Sequence, residues 1–321
     1  CTDATAGANV WTNVGAGSGD VSPIAWTGSR GLIVGGWTNT PSSANLNTIE
    51  YITIATTGNA IDFGDLNFAM QSGACCSNGA RGIAGGGQDS GGYKNNIDYV
   101  TVATPGNATD FGDLTIGRGS HPASFSDGTK GCFAGGFHAS PSTKSNIIDY
   151  ITIATIGNAV DFGDLTEGRY GPGGYSNGPR GVISGGYSAS SVLINVIEYV
   201  TIATPGNSVD FGDLTVARRH SATFASLTRG ITAGGNGSSA SDVIDYTTIA
   251  TIGNATDFGN LLTTVEDAPA GCSNLTRGTI SGGGWPPINV IQYITIATTG
   301  NATDFGDLTG IRETSAGLSG A

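Results

Sequence analysis

The sequence predicts an all-β chain, a ring of six propeller blades with four short antiparallel strands in each. Three observations carry this. The segment Glu50-Tyr51-Ile52-Thr53-Ile54-Ala55 recurs at Asp98-Tyr99, Asp149-Tyr150, Glu198-Tyr199, Asp245-Tyr246 and Gln292-Tyr293, with the tyrosines 48, 51, 49, 47 and 47 residues apart. Each tyrosine is followed 12 residues later by a phenylalanine: Phe63, Phe111, Phe162, Phe211, Phe258 and Phe305. Each unit also has an apolar run that opens on a basic residue and ends in a glycine pair, from Arg30 to Gly35-Gly36 in the first and from Arg277 to Gly282-Gly283 in the last. A period near 50 residues suits one four-stranded blade, whereas solenoid coils such as leucine-rich repeats are shorter.

The strands follow in order from local chemistry. Strand A is the variable stretch after Arg118 or its equivalents. Strand B is the run into the glycine pair. Strand C, Tyr-Ile-Thr-Ile-Ala, is dense in β-branched and aromatic residues that suit a pleated surface. Pro105-Gly106-Asn107 and Pro205-Gly206-Asn207 read as type II turns with glycine at positive φ. Strand D is Asp-Phe-Gly-Asp-Leu. A lone blade leaves both faces bare, so the blades must cover one another.

Composition removes other classes. Of 321 residues 54 are glycine and 12% are charged, with net charge −12. A coiled coil lacks its Ala, Glu, Lys and Leu here. The glycines lack the triplet spacing of collagen. No apolar run is long enough for a spanning helix, so no membrane insertion is expected. The acidic balance argues against nucleic acid as a partner. Five cysteines, Cys1, Cys75, Cys76, Cys132 and Cys272, are odd in number and form no CxxC pair, so they read as small buried hydrophobes.

The glycine pair closing strand B, the tyrosine on strand C and the aromatic-plus-leucine on strand D together resemble the kelch repeat, over residues 29–309. Phe211-Gly212-Asp213-Leu214-Thr215-Val216-Ala217-Arg218 also matches the kelch spacing from aromatic to arginine, with Phe where kelch repeats usually carry Trp. More narrowly, Asp-Tyr-Ile-Thr-Ile-Ala-Thr-x-Gly-Asn-Ala-x-Asp-Phe-Gly-Asp-Leu is similar to repeat proteins of tailed phages, notably of marine bacteria. This resemblance implies a six-bladed kelch-like propeller on a virion surface or otherwise extracellular. It would serve as a tail-fibre or surface-fibre component beside other virion or fibre proteins, possible as a homo-oligomer. The alternatives are a bacterial cell-surface or secreted adhesin or filament protein, and an enzyme built on a propeller scaffold.

Residues 1–19 read as a leader or linker and 20–321 as the propeller. Asn9-Val10-Trp11-Thr12-Asn13-Val14 looks like a strand D without its blade, and Arg312 to Leu318 like a strand A without its blade. Either terminal segment is expected to close the ring or leave it.

Length variation falls in the B–C loops, where the second glycine precedes the tyrosine by 15, 13, 14, 13, 11 and 10 residues. Their aromatic and imidazole residues, Trp37, Tyr93, Phe137, His138, Tyr187 and Trp285, are the candidate ligand-binding rim for a host-surface glycan or protein. The alternative is that they pack locally. The basic series Arg30, Arg81, Lys130, Arg180, Arg229 and Arg277 repeats with the scaffold, as does the acidic series Glu50, Asp98, Asp149, Glu198 and Asp245, broken by Gln292. Structural charge pairs between the two series are expected. No catalytic residue and no metal site is read. No cofactor is expected; calcium at the Asn107–Asp113 turn is the one alternative, and Asx turns explain the same residues. His121 and His220 fall near the start of strand A and read as ring-lining residues.

Overall fold

The structure, a computed structural model, describes residues 28–139 and 142–321; the leader segment 1–19 lies outside the described residues. The chain folds into a six-bladed β-propeller of six four-stranded antiparallel sheets. Blade 3 is representative, with strand A at Ala123–Ser126, B at Lys130–Ala134, C at Ile147–Thr152 and D at Val160–Asp164. The A strands lie innermost and touch one another around the axis, and the D strands lie outermost.

The C-terminal segment closes the ring. Ala316–Gly320 is strand A of blade 1 and pairs with strand B at Arg30–Val34, with Leu32 opposite Leu318. The described residues therefore form six four-stranded sheets.

Within each blade three repeated residues stack. The strand C tyrosine meets the strand D phenylalanine edge to face, at 6.1 Å in Tyr99–Phe111 and 5.8 Å in Tyr150–Phe162. The strand B base covers the same tyrosine, with the Arg81 guanidinium 4.4 Å from the Tyr99 ring centre. A bulge in every C–D pair explains the Asp-Phe-Gly signature. In blade 2, Ile97 faces Gly112 and Asp98 faces Asp110, so Phe111 is the extra residue. It is fully buried, as are its five counterparts.

The apolar core falls into six clusters, each drawn from two adjacent blades. One joins Ile83, Ile97 and Phe111 of blade 2 to Phe133, Ile151 and Ile153 of blade 3. At the outer end of each junction the D strand of one blade interlocks with the C–D loop of the next. Between blades 2 and 3, Gly157 N–H donates to Phe111 C=O at 2.9 Å and Ala159 N–H to Asp113 C=O at 2.8 Å. The Asn158 Oδ1 accepts from Asp113 N–H at 3.1 Å, and Asn59, Asn107, Asn207, Asn254 and Asn301 do the same at the other five junctions. Gly112 sits at φ +146°, and a Cβ there would lie 2.6 Å from the Gly157 oxygen.

The turn chemistry differs from the type II expectation. The tight turn lies earlier, with Thr104 N–H donating to Thr101 C=O at 3.1 Å. Gly106 and Gly206 are outside the left-handed region, and the space at their Cβ positions is open. They belong to an extended segment that runs against the preceding blade.

The charge pairs also take different partners from those expected. The strand B bases do not meet the strand C acids among the described residues. Each donates instead to a backbone carbonyl of the next blade: Arg30 to Val102, Arg81 to Ile153, Lys130 to Ile202, Arg180 to Ile249, Arg229 to Ile296 and Arg277 to Ile54. The acids pair with a second arginine series, seven residues after the D-strand phenylalanine of the preceding blade. Arg118 meets Asp149, Arg169 meets Glu198, Arg218 meets Asp245 at 3.0 Å, and Arg312 meets Glu50, all buried. Strand geometry explains the difference. The base at the opposite end of strand B from the glycine pair faces the end of strand C, Arg30 opposite Thr53, three residues from the acid.

Two junctions lack the arginine. Between blades 5 and 6, Val265 replaces it and the acid is Gln292, which accepts from Leu262 N–H at 2.6 Å. Between blades 1 and 2, Met70 replaces it while Asp98 stays, held by Asn67 through N–H at 3.0 Å and Nδ2 at 2.8 Å. Burial without a cation raises the Asp98 carboxyl above the usual range, against the lowering effect of the Asn67 bonds.

Gly112→Ala is expected to cost about 2–4 kcal/mol, because strain and overlap with the next blade add, and Gly157→Ala under about 1 kcal/mol. Urea unfolding distinguishes them; equal losses would show that the D-strand glycine is not a close-approach position. Arg118→Met strands a buried carboxylate and is expected to cost about 3–5 kcal/mol. The double variant with Asp149→Asn should lose less than Arg118→Met alone, and simply additive losses would remove the buried pair from this account.

Candidate functional site at the channel mouth

The B–C loops form short hairpins on one face, each anchored to its own blade's D–A link. Trp37 and Glu313 exchange backbone bonds at 2.8 and 3.0 Å. Gln88 pairs with Gln71, Phe137 with Gly119, Tyr187 with Tyr170 and Asn236 with Arg219 in the same way. The aromatic side chains stack across blade junctions. Trp37 and Trp285 are stacked at 5.5 Å across the closure of the ring, and Trp285 remains 63% exposed. Tyr93 lies 5.6 Å from Phe137, Phe137 6.2 Å from Tyr170, and Tyr170 5.4 Å from Tyr187. Arg219 covers both Tyr170 and Tyr187 at 5.1 Å. His138 is only 6% exposed, so its ring lies within the hairpin layer rather than on display. A cleft of about 480 Å³ between the hairpins of blades 1 and 2 is lined by Trp37, Asn45, Gln71, Asp89 and Ser90.

The D–A links form the mouth of the central channel. Nine residues past each phenylalanine the backbone turns left-handed, at Ser72, Ser120, Gly171, His220, Asp267 and Thr314, with φ from +52° to +67°. The left-handed turn lets each link bond to the one before it. Ser72 N–H donates to Thr314 C=O, Thr314 to Asp267, Ala268 to His220, His220 to Gly171, Gly171 to Ser120 and His121 to Ser72, at 2.8–3.0 Å. Six such bonds make a closed circle, so the links crowd around one opening. Five of the six left-handed positions are not glycine, which is a strained arrangement.

Titratable side chains gather on this circle. His121 and His220 pack edge to face at 4.9 Å, and His220 Nδ1 lies 3.4 Å from Asp267 Oδ1. Burial, then the neighbouring imidazole, holds His121 well below the ordinary histidine range. Burial also lowers His220, opposed by its bond to Asp267. Glu313 is pushed up to about 8, first by burial and then by Asp267 and Glu266. Asn236 Nδ2 donates to Glu266 Oε2 at 2.9 Å. Glu313 Oε2, His121 Nε2 and His220 Nε2 are buried without a partner among the described residues.

Behind the mouth the channel is narrow, about 120 Å³, and is lined by small residues of all six A strands. Serines stitch neighbouring strands there: Ser126 Oγ donates to Ser77 C=O and Ser176 Oγ to Ser126 C=O, both at 2.7 Å. Cys75 and Cys76 line it, Cys132 and Cys272 are buried elsewhere, and all four are free, as expected for small hydrophobes; burial pushes the Cys76 and Cys272 thiols up to about 12. Cys1 lies outside the described residues. In the turn considered for calcium, the Asn107 side-chain oxygen already accepts from Asp65 N–H at 3.0 Å. Among the described residues no three His, Cys, Asp or Glu side chains gather in metal-holding geometry.

No protein-family model matches the chain, and no curated protein matches it.

Sequence reasoning put the aromatics on the B–C loops and His121 and His220 near the start of strand A, but singled out nothing else on the links. Eight places past each phenylalanine stand Gln71, Gly119, Tyr170, Arg219, Glu266 and Glu313, of which only the last two share a residue type, so the repeat gives little signal for them. Only their fixed distance from the phenylalanine marks them.

A carboxyl with a raised folded value binds a proton that the unfolded chain has released, so this contribution to stability falls as pH rises from about 5 to about 8. Glu313→Gln removes that loss. Its unfolding midpoint relative to the parent is expected to rise steadily across this window, and parallel pH profiles for the two proteins would show that Glu313 titrates normally.

Proposed function

We propose that the propeller is a non-enzymatic recognition module that binds a host-surface glycan or protein through its B–C face, with a glycan the first reading. The observation that carries it is the Trp37–Trp285 pair: Trp285 is 63% exposed, and Trp37, on which it stacks, lines a cleft with Asn45, Gln71, Asp89 and Ser90. Indole faces suit the apolar faces of sugar rings, and amide, carboxylate and hydroxyl groups suit their hydroxyls. The kelch-like spacing and the wording similar to marine-phage repeat proteins support a place on a tail fibre or other virion surface. Other fibre proteins would then be its neighbours, and repeated copies would multiply weak contacts. Net charge −12 favours solubility and disfavours nucleic acid.

A second reading, a bacterial adhesin or filament protein, is favoured by the outer strands. Ile61, Val160 and Val209 are 55, 50 and 49% exposed on them, an apolar rim that copies could share. An enzyme is favoured by the His220–Asp267 contact, but His220 Nε2 has no nucleophile within hydrogen-bond reach among the described residues.

A glycan array with the whole chain tests the first reading. The parent protein should retain at least one class of glycan, and Trp285→Ala and Trp37→Ala should lose it with an unchanged circular dichroism spectrum. A silent parent protein, or binding unaffected in both variants, would overturn the glycan rim.

A further inference from the structure

We propose that the mouth between blades 5, 6 and 1 recognises an amino sugar with a free amine, its ammonium taken by Glu313, Asp267 and Glu266 and its ring lying against the Trp37–Trp285 pair. This rests on the glycan reading and names the ligand class of the same face.

Four observations converge on it. First, the carboxylates have no cation. Among the described residues neither Glu266 nor Glu313 has an ion-pair partner, and Asp267 meets only His220. Arg219, the base on the adjoining link, is turned the other way, donating to the Tyr170 hydroxyl and covering the Tyr170 and Tyr187 rings.

Second, Glu313 is 6% exposed and its Oε2 lacks a donor. A buried acceptor left unpaired is costly, and such atoms call for an explanation. A ligand donor supplies one here. Two further atoms without a partner among the described residues, His121 Nε2 and His220 Nε2, lie on the same circle of links, and with Nδ1–H directed at Asp267 the His220 Nε2 is an acceptor. An ammonium carries three donors and no acceptor, which suits carboxylate oxygens and an imidazole acceptor.

Third, backbone pairing ties the two tryptophan-bearing hairpins to the two links that carry the acids. Trp37 pairs with Glu313, and Gly284, the residue before Trp285, donates to Glu266 C=O at 2.8 Å. A charged amine and the ring that bears it would therefore meet carboxylate and indole together. Fourth, the field of a protein with net charge −12 draws cations toward such a recess.

Proton linkage provides an independent readout. Glu313 faces Glu266 and Asp267, with His220 behind Asp267, and Gln71 lies 3.3 Å from the neighbouring Thr314 hydroxyl. No base faces it among those groups. It is therefore protonated at neutral pH, and an arriving ammonium should displace that proton.

The test is calorimetry on the whole chain at pH 7 with four probes: glucosamine, N-acetylglucosamine, glucose and n-butylammonium, each in two buffers of different ionisation enthalpy. Glucosamine should bind about tenfold or more tighter than the other two sugars and release close to one proton. Butylammonium should bind more weakly than glucosamine. Glu313→Gln should erase the preference and the proton release, while Trp285→Ala should weaken all the sugars alike. Equal affinity for the three sugars would overturn the amine assignment while leaving the glycan rim standing. Butylammonium as tight as glucosamine would overturn the sugar part, leaving a cation site only. Failure of all four probes at millimolar concentration would overturn the inference as a whole, with the glycan array judging the rim separately.

Discussion

No blade of this protein can cover its own two faces, and the rest of the structure depends on how closely neighbouring blades approach. Each apolar cluster draws on one blade and on the next. The approach is set at backbone level, where the D-strand bulge of one blade accepts bonds from the loop of its neighbour and only glycine fits at the contact. Such a junction repeated in an open stack would leave two bare ends, as solenoids do unless capped. Pairing Arg30–Val34 with Ala316–Gly320 removes both ends at once. The same device makes the ring's last strand the most distant in sequence from its partner, so this pairing closes the longest loop and carries the largest closure entropy.

Charge follows the junctions with more freedom. The arginine seven residues past the phenylalanine and the strand C acid form one unit that spans two blades, and they vary together where Val265 meets Gln292. A neutral pair there avoids a buried carboxylate with no cation. Asp98 shows the other resolution: the acid remains, Met70 replaces the arginine, and Asn67 supplies donors that partly offset desolvation. The strand B bases are simpler. Their charged head lies over a tyrosine and donates to a carbonyl of the next blade, so they need no acid at all.

The ring, its strands and their order were legible because each depends on residues that recur at fixed spacing. Phe111 and Tyr99 announce a contact that the bulge then builds. Partnership across blades was less legible. Arg118 and Asp149 are 31 residues apart and belong to different repeats, so a reading within one repeat gives Asp149 the wrong base. Trp37 and Trp285 are far apart in sequence and meet only because the circle closes. The links were least legible of all. Their common property is a left-handed backbone, which His220, Asp267 and Thr314 adopt without the glycine that usually signals it.

That strain connects architecture to recognition. A left-handed residue in each link turns its N–H toward the preceding link, and six such bonds fix the opening. Once the backbone is committed to the circle, the link side chains are spare: they no longer decide the fold and can differ from blade to blade. They do differ, with tyrosine and arginine on one arc and Glu266, Asp267 and Glu313 on another. Sixfold repetition therefore supplies a rigid frame whose mouth is chemically asymmetric. A ligand approaching the axis would meet a different set of groups at each blade, although the scaffold beneath it is nearly symmetric.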